Sequence, residues 1–310
     1  MWDREGILPD VLAAVGHTPL VTLRRILAPN GVELVLKLEA FNPGGSIKDR
    51  IATRLITVAE DEGRLKPGGV IVEATAGNTG IALAMAAAVK GYRALFVVPD
   101  KMSRDKIAIL KAYGAEVRVV PDVPRENENN YQHVAKRLAR EISGGCYMGQ
   151  FEQAANPEAH YLSTGPEIWN GTRGRVAAIV AGAGTGRTIS GIGRYLKERN
   201  PGILVVGADP FGSIFTGPVA PFKIEGMGED YYPDTLDVKV VDRWLAVSDE
   251  EAYVMARRLA REEGILAGGS TGAIVHVALK IAEDLKAGSL IVALAPDTGR
   301  NYLSNIFVDE

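Results

Sequence analysis

A lysine that attacks a carbonyl must meet it uncharged, and one stretch of this chain is arranged to make a lysine so. The stretch is Asn42-Pro43-Gly44-Gly45-Ser46-Ile47-Lys48-Asp49-Arg50, and it follows an apolar run at 33–38 that reads as a buried strand. Pro43, Gly44 and Gly45 make a turn. Ile47, Ile51, Leu55, Ile56 and Ala59 then recur at helical spacing towards Gly63. Ser46 is placed to cap that helix, with Asp49 three residues on in the spacing of a capping box. Lys48 falls in the first helical turn, where orphan N–H groups disfavour a cation. A lysine held there gains by losing its proton, which is the state a Schiff-base lysine needs. A surface lysine beside a tight turn would look the same locally, so the rest of the chain decides.

Three further loops carry unusual chemistry. Thr75-Ala76-Gly77-Asn78-Thr79-Gly80 lies between a strand and a helix start, and its hydroxyls, N–H groups and amide suit a carboxylate. It lacks the Gly-Lys-Ser/Thr ending of a Walker A loop, and a plain Asn-capped helix remains an alternative. Gly182-Ala183-Gly184-Thr185-Gly186-Arg187-Thr188 reads as a phosphate cradle, because glycines admit an anion close to the backbone and the threonines add hydroxyls. Gly182 and Gly184 also open a dinucleotide G-x-G-x-x-G, with Asp209 ending the next strand. The third glycine position is Arg187, however, where close helix packing wants no side chain. The last loop, Gly268-Gly269-Ser270-Thr271-Gly272, holds a glycine-flanked serine outside the G-x-S-x-G pattern.

His133 and His276 fall inside predicted helices, and His17 and His160 read as packing residues, so no histidine triad or metal cluster emerges. One cofactor uses a lysine, a phosphate cradle, an amide donor and an unionised serine together. It is pyridoxal 5′-phosphate (PLP), with Lys48 as the Schiff base, 184–188 for the phosphate and Ser270 at the pyridine nitrogen. A serine leaves that ring largely neutral, which suits β-elimination and replacement better than transamination.

These loops need a frame to hold them. Strand-like and helical runs alternate along almost the whole chain, which predicts βαβ units and parallel sheets covered by helices. Residues 210–239 are irregular and rich in Gly and Pro, too long for a routine connection. A lobe boundary is expected within 144–150. The 310 residues leave room for two lobes, and 46% hydrophobic content supplies a core. Thirty-five basic and 38 acidic residues without long runs give −3, which suggests no nucleic-acid or membrane-surface partner. The single cysteine, Cys146, excludes an internal disulfide and a cysteine-based metal site, and reads as a small buried side chain. The start of the chain does not read as a signal peptide, nor does any apolar run span a bilayer, so a cytoplasmic protein is expected.

At these motifs the chain resembles the cysteine synthase/cystathionine β-synthase family of fold type II PLP enzymes. The resemblance runs from Gly16-His17-Thr18-Pro19-Leu20 to Pro296-Asp297-Thr298-Gly299-Arg300-Asn301-Tyr302-Leu303. It implies a two-lobed α/β fold: a smaller mobile domain, 42–147, with the lysine and carboxylate loop, and a larger one, 1–41 and 148–310, with the phosphate loop and serine. It implies Lys48 as Schiff-base lysine and proton shuttle, and Asn78 on the cofactor's 3′ oxygen. Thr75, Ala76, Gly77, Thr79 and Gln150 would surround the substrate α-carboxylate. Gly184, Thr185, Gly186, Arg187 and Thr188 would hold the phosphate, and Ser270 the ring nitrogen, with Pro296 and Asp297 nearby. A cytoplasmic homodimer acting in transsulfuration or cysteine biosynthesis follows by the same analogy.

Within the family, Glu225-Gly226-Met227-Gly228-Glu229-Asp230 looks more like cystathionine β-synthases, since cysteine synthases more often carry glutamine at Glu225. A carboxylate there could hold the ammonium of homocysteine, which sulfide lacks; it could also merely brace the loop. The implied reaction joins serine or O-acetylserine to homocysteine through an aminoacrylate, giving cystathionine. Cysteine synthesis from sulfide is the alternative, and an amino-acid sensor on the same fold a remoter one. Three positions depart from the usual pattern: Ala76 for serine, Arg187 for glycine, and Phe151 where animal enzymes tend to have tyrosine. Those enzymes also carry a haem-binding extension and a regulatory domain pair without counterpart in this sequence.

Overall fold

The structure, a computed structural model, describes residues 6–75, 77–150 and 158–308. The chain divides into two compact units. One comprises 16–41 and 157–310, the other 3–15 and 42–156. These limits differ from the sequence boundaries, because 3–15 joins the lysine-bearing unit and the division falls after 156. The reason at the N-terminus is packing, since Leu12 lies against that unit's core.

The lysine-bearing unit holds a four-stranded parallel sheet of β3 (Val70–Ala74), β4 (Arg93–Pro99), β5 (Glu116–Val120) and β6 (Gly145–Tyr147), in the order β5-β4-β3-β6. Its strands are continuous apolar runs because both faces are covered. Ile71, Phe96 and Val98 face α1 (Lys48–Asp61) and α2 (Asn78–Lys90). Val70, Val72, Leu95 and Val97, one residue out of phase, face α4 (Tyr131–Glu141). The helix α2 is alanine-rich and buried from Thr79 to Ala87, so it is apolar all round. Gly91 ends it in the left-handed conformation, φ 73°. Between β4 and β5, α3 (Arg104–Ala112) is capped by Ser103 Oγ on Lys106 N, as its sequence predicts.

The second unit holds a six-stranded sheet in the order β1-β2-β10-β7-β8-β9. Its strands are β1 (Leu20–Thr22), β2 (Glu33–Leu38), β7 (Val176–Gly182), β8 (Leu204–Pro210), β9 (Arg243–Val247) and β10 (Leu290–Ala295). All pair in parallel except β1, an antiparallel edge of three residues that the sequence pattern is too short to reveal. Its helices are α5 (Gly165–Gly171), α6 (Arg187–Arg199), α7 (Asp249–Glu263), α8 (Gly269–Ala282) and the short α9 (Leu303–Ile306). A π-turn, His160–Thr164, precedes α5 where the sequence predicts one helix from about 157 to 169. The central helix α8 is buried over most of its surface, with Ile274, Val275, Val277 and Ile281 inaccessible to solvent. Ser248 and Glu251 form a capping box at the start of α7. Inside β2, the buried Lys37 ammonium lies 2.6 Å from both Glu167 Oε2 and Thr18 O, which compensates its desolvation.

Candidate active site

The turn before Lys48 is closed by Gly45 N donating to Asn42 O at 2.8 Å, with Gly45 at φ 81°. The chain enters α1 at Lys48, which is half-buried. Ser46 Oγ accepts from Lys48 N at 3.2 Å, but the N-cap position itself is Ile47, so the serine meets the helix one residue before the cap. The capping-box expectation for Asp49 is corrected. Its side chain accepts from Gly44 N at 2.6 Å instead, because Ile47 is already helical and the aspartate is fully buried under the turn. The acid therefore ties down the Gly-Gly turn rather than the helix end.

Parallel neighbours send their following loops out of the same sheet edge. After β3, Thr75 Oγ1 accepts from Gly77 N at 3.3 Å and Gly80 N at 3.1 Å. Thr75 thus holds two N–H groups at the start of α2, whose N-cap is Gly77, and Asn78 is the first helical residue rather than the cap. Gly80 is needed there, since a Cβ would stand 2.5 Å from Thr75 Cγ2. Thr75 and Thr79 are buried, and Gly77 and Asn78 half-buried. After β6, Gln150 is 8% exposed and donates through Nε2 to Ala74 O at 3.0 Å. The structure therefore gathers Thr75, Gly77 and Gln150 at one edge of the smaller sheet. Ala76 and Phe151 lie outside the described residues.

In the other unit, the loop after β7 turns into α6 at Gly186, φ 73°. No described residue supplies an acceptor for the N–H groups of Gly184, Thr185, Gly186 or Thr188. Thr188 Oγ1 lies 3.2 Å from His160 Nε2, whose Nδ1 lies 2.9 Å from Thr164 Oγ1. His160, a packing residue by its sequence setting, is buried, and it braces the Thr188 hydroxyl 28 positions away, a separation without sequence signal. Arg187 is only 2% exposed, so its side chain is folded inward.

The long loop 211–239 wraps onto this cradle. Gly228 N donates to Ala183 O at 2.7 Å, and Thr235 Oγ1 to Thr185 O at 2.7 Å. Leu236 fills the space where a Cβ on Gly186 would be. A Cβ on Gly184 would lie 3.4 Å from Gly226 O and 3.5 Å from Glu229 Oε1. Glu229 is thus an acidic neighbour of the cradle that the sequence reading passed over in favour of Glu225. Glu225 and Gly226 are exposed, and Asp249 accepts from Lys223 N and Ile224 N just before them. Burial, reinforced by Asp249 and Glu225, raises the Tyr253 hydroxyl to about 12. Asp209 is fully buried and accepts from Thr216 Oγ1 at 2.8 Å, inside the same loop. With one oxygen bonded to that loop and the whole side chain buried, Asp209 is not presented to a ligand as the ribose contact of a dinucleotide reading requires.

The serine loop joins α7 to α8 rather than following a strand. An isolated bridge, Ala267 to Thr298, draws it to the end of β10, and β10 is a parallel neighbour of β7. Ser270 is 5% exposed, and its hydroxyl has no hydrogen-bond partner among the described residues. Asp297 stands beside Gly268, where a Cβ would collide with it, and accepts from Tyr302 OH at 2.6 Å. Cys146 is buried, and burial pushes its thiol up. Among the described residues no three His, Cys, Asp or Glu side chains could hold a metal ion, and no helix is long and apolar enough to cross a membrane.

A family model described as pyridoxal-phosphate dependent enzyme matches residues 11–297. The chain is 46% identical to cystathionine beta-synthase of Rattus norvegicus over 98% of its own length and 56% of the relative's. Against cystathionine beta-synthase of Saccharomyces cerevisiae it is 42% identical, over 97% of this chain and 63% of that one. The chain thus spans little more than half the length of these curated relatives. Among solved structures, O-ureido-L-serine synthase superposes with a TM-score of 0.93 at 39% identity, covering 98% of this chain and 97% of that one. A hydrogen sulfide-producing enzyme from Fusobacterium nucleatum gives 0.91 at 38% identity, with 96% and 99% covered. The family resemblance and the α/β class read from the sequence are both borne out. The chain is a PLP-dependent enzyme, and it belongs to the pyridoxal-phosphate dependent enzyme family.

Proposed function

We propose that this enzyme replaces the β-substituent of serine or O-acetylserine with the thiolate of homocysteine, releasing cystathionine. The observation that carries the proposal is the seating of the acidic loop 225–230 against the phosphate cradle, through Gly228 N on Ala183 O and Glu229 beside Gly184. A carboxylate bordering the phosphate loop, with a second acid, Glu225, four residues earlier on the same segment, suits a nucleophile that brings its own ammonium group.

The residues fit the cofactor. The N–H groups of Gly184, Thr185, Gly186 and Thr188 at the start of α6, which find no acceptor among the described residues, match a phosphate. The Ser270 hydroxyl, without a partner among the described residues, matches a ring nitrogen. When bound, PLP supplies the electron sink that makes the α-proton of the substrate removable. In this proposal Lys48 holds the cofactor covalently and then moves the α-proton, while Asn78 steadies the cofactor's 3′ oxygen. Thr75, Ala76, Gly77, Thr79 and Gln150 orient the donor's carboxylate. Arg187 contributes its N–H and a buried positive charge to the phosphate side. Glu225, with Gly226 beside it, receives the homocysteine ammonium.

Cysteine synthesis from O-acetylserine and sulfide is the second reading, favoured by the two solved neighbours named for O-ureido-L-serine synthesis and hydrogen sulfide production. The amino-acid sensor is the remoter reading, and retention of Lys48 argues against it. We place the enzyme, by family analogy, as a cytoplasmic homodimer. Product analysis with serine and O-acetylserine, each against homocysteine and sulfide, tests the choice. Glu225→Gln should cut kcat/KM for homocysteine roughly tenfold to hundredfold, the scale of one lost charge-assisted bond, and leave sulfide unaffected. Equal losses for both nucleophiles in Glu225→Gln, with Glu229→Gln neutral towards both, would remove the case for homocysteine.

A further inference from the structure

We infer that Glu73 is a positioning residue for the donor-carboxylate site, acting through Gln150; the inference rests on the reading of Gln150 as a carboxylate ligand. Glu73 is an acid in a strand that is otherwise apolar, Val70–Ala74, and it is wholly inaccessible to solvent. A buried carboxylate is costly unless charge-assisted hydrogen bonds replace its water. A merely structural strand position would carry an apolar residue at no such cost.

The ladder between β3 and β6 shows what Glu73 does. Val70 N donates to Gly144 O and Met148 N to Val72 O, the regular parallel pattern. Continued by that register, Ala74 N would reach Met148 O and Gln150 N would reach Ala74 O. Neither bond forms. Gly149, at φ 65°, turns the chain out of the sheet. The Glu73 carboxylate enters the gap, with Oε1 accepting from Ala74 N at 2.7 Å and Oε2 from Gln150 N at 3.0 Å. That frees Ala74 O, and Gln150 Nε2 donates to it at 3.0 Å. Gln150 is therefore held by both its backbone and its side chain, one residue from Thr75.

The geometry needs a carboxylate. Both oxygens face N–H donors, whereas a glutamine has one acceptor oxygen and would turn an NH2 towards a donor. Glu73→Gln should consequently release the Gln150 backbone without creating a cavity.

The test is a double-mutant cycle on the holoenzyme with Glu73→Gln, Gln150→Ala and the pair. The readout is the dissociation constant of L-alanine, which carries a carboxylate but no leaving group, followed by the cofactor's visible spectrum. Each single change should weaken binding about tenfold, the scale of one hydrogen bond to a charged group. The double variant should be no weaker than the weaker single one, since the effect of Glu73 on the carboxylate site runs through Gln150. If Glu73→Gln fails to fold, Glu73→Asp keeps the charge, draws it back by one methylene, and should show the same coupling. Unchanged affinity in the Glu73 variants, or losses that simply add to that of Gln150→Ala, would overturn the inference while leaving Gln150 as a ligand. Unchanged affinity in Gln150→Ala would instead overturn the reading on which the inference stands.

Discussion

Gly44 donates its N–H to Asp49 Oδ2 at 2.6 Å, and a Cβ on Gly44 would stand 2.5 Å from Asp49 Oδ1. The turn before Lys48 is thus closed by an acid from the first turn of the helix that the lysine begins. Gly44→Ala should push the two apart, at about 1–3 kcal/mol for overpacking a tight site. Urea unfolding should report that loss, together with a lower yield of borohydride-trapped cofactor at Lys48. Full stability with full trapping would mean that the close approach is incidental.

Lys48 itself is half-buried and contributes little to the core that begins at Ile51. Lys48→Ala should therefore fold and melt close to the parent protein. Turnover should fall by several orders of magnitude, and borohydride should no longer fix the cofactor to the chain. Near-normal turnover in this variant is the outcome that defeats the central assignment.

Gly186→Ala strains the backbone at φ 73°, about 1–2 kcal/mol for an L-residue, and drives a methyl group into Leu236. Cofactor affinity should drop by at least about tenfold on that scale, measured by titrating the apoenzyme with PLP. Leu236→Ala in the same background should restore part of it by making room. A second change without effect would place the damage in the backbone alone.

Asp209 gives a pH test. Burial holds its carboxyl above the ordinary carboxylate value, against weaker opposing help from Ser213 and Thr216. The folded state therefore binds this proton more tightly than the unfolded chain does. As pH rises from about 4, the ordinary value, through the raised folded value, the parent loses stability relative to Asp209→Asn, which has no proton to release. Unfolding free energies of the two proteins, measured from pH 3.5 upward, should show that difference shrinking and then levelling. A pH-independent difference would mean that Asp209 titrates normally.

Much of this molecule is local chemistry that the sequence states directly. Gly91 beyond an alanine-rich run, Ser103 before a periodic one, and Ser248 with Glu251 each mark a helix end by backbone hydrogen bonding within a few residues. The motifs at 42–50, 75–80, 182–188 and 268–272 announce their chemistry in the same way, because glycine, hydroxyl and amide spacings around a helix start are short-range facts. Their collective match to one family carried the fold with them.

The exceptions share one cause. Asp49 reaches back to Gly44 instead of boxing its cap, Glu73 enters the gap where β6 leaves β3, and His160 braces Thr188 across 28 residues. Asp209, at the end of β8, accepts from a hydroxyl of the loop that follows, and of the two acids Glu229 rather than Glu225 lies nearest Gly184. Each depends on where a side chain points once strands are paired and loops have folded back. Strand register and loop return are set by packing over distances that no local spacing encodes. The sequence by itself determined which chemical groups each loop carries and which cofactor they suit. Only the tertiary structure decided which buried acids hold those loops in place, since a carboxylate finds its N–H donors only after the backbone that bears them has been positioned.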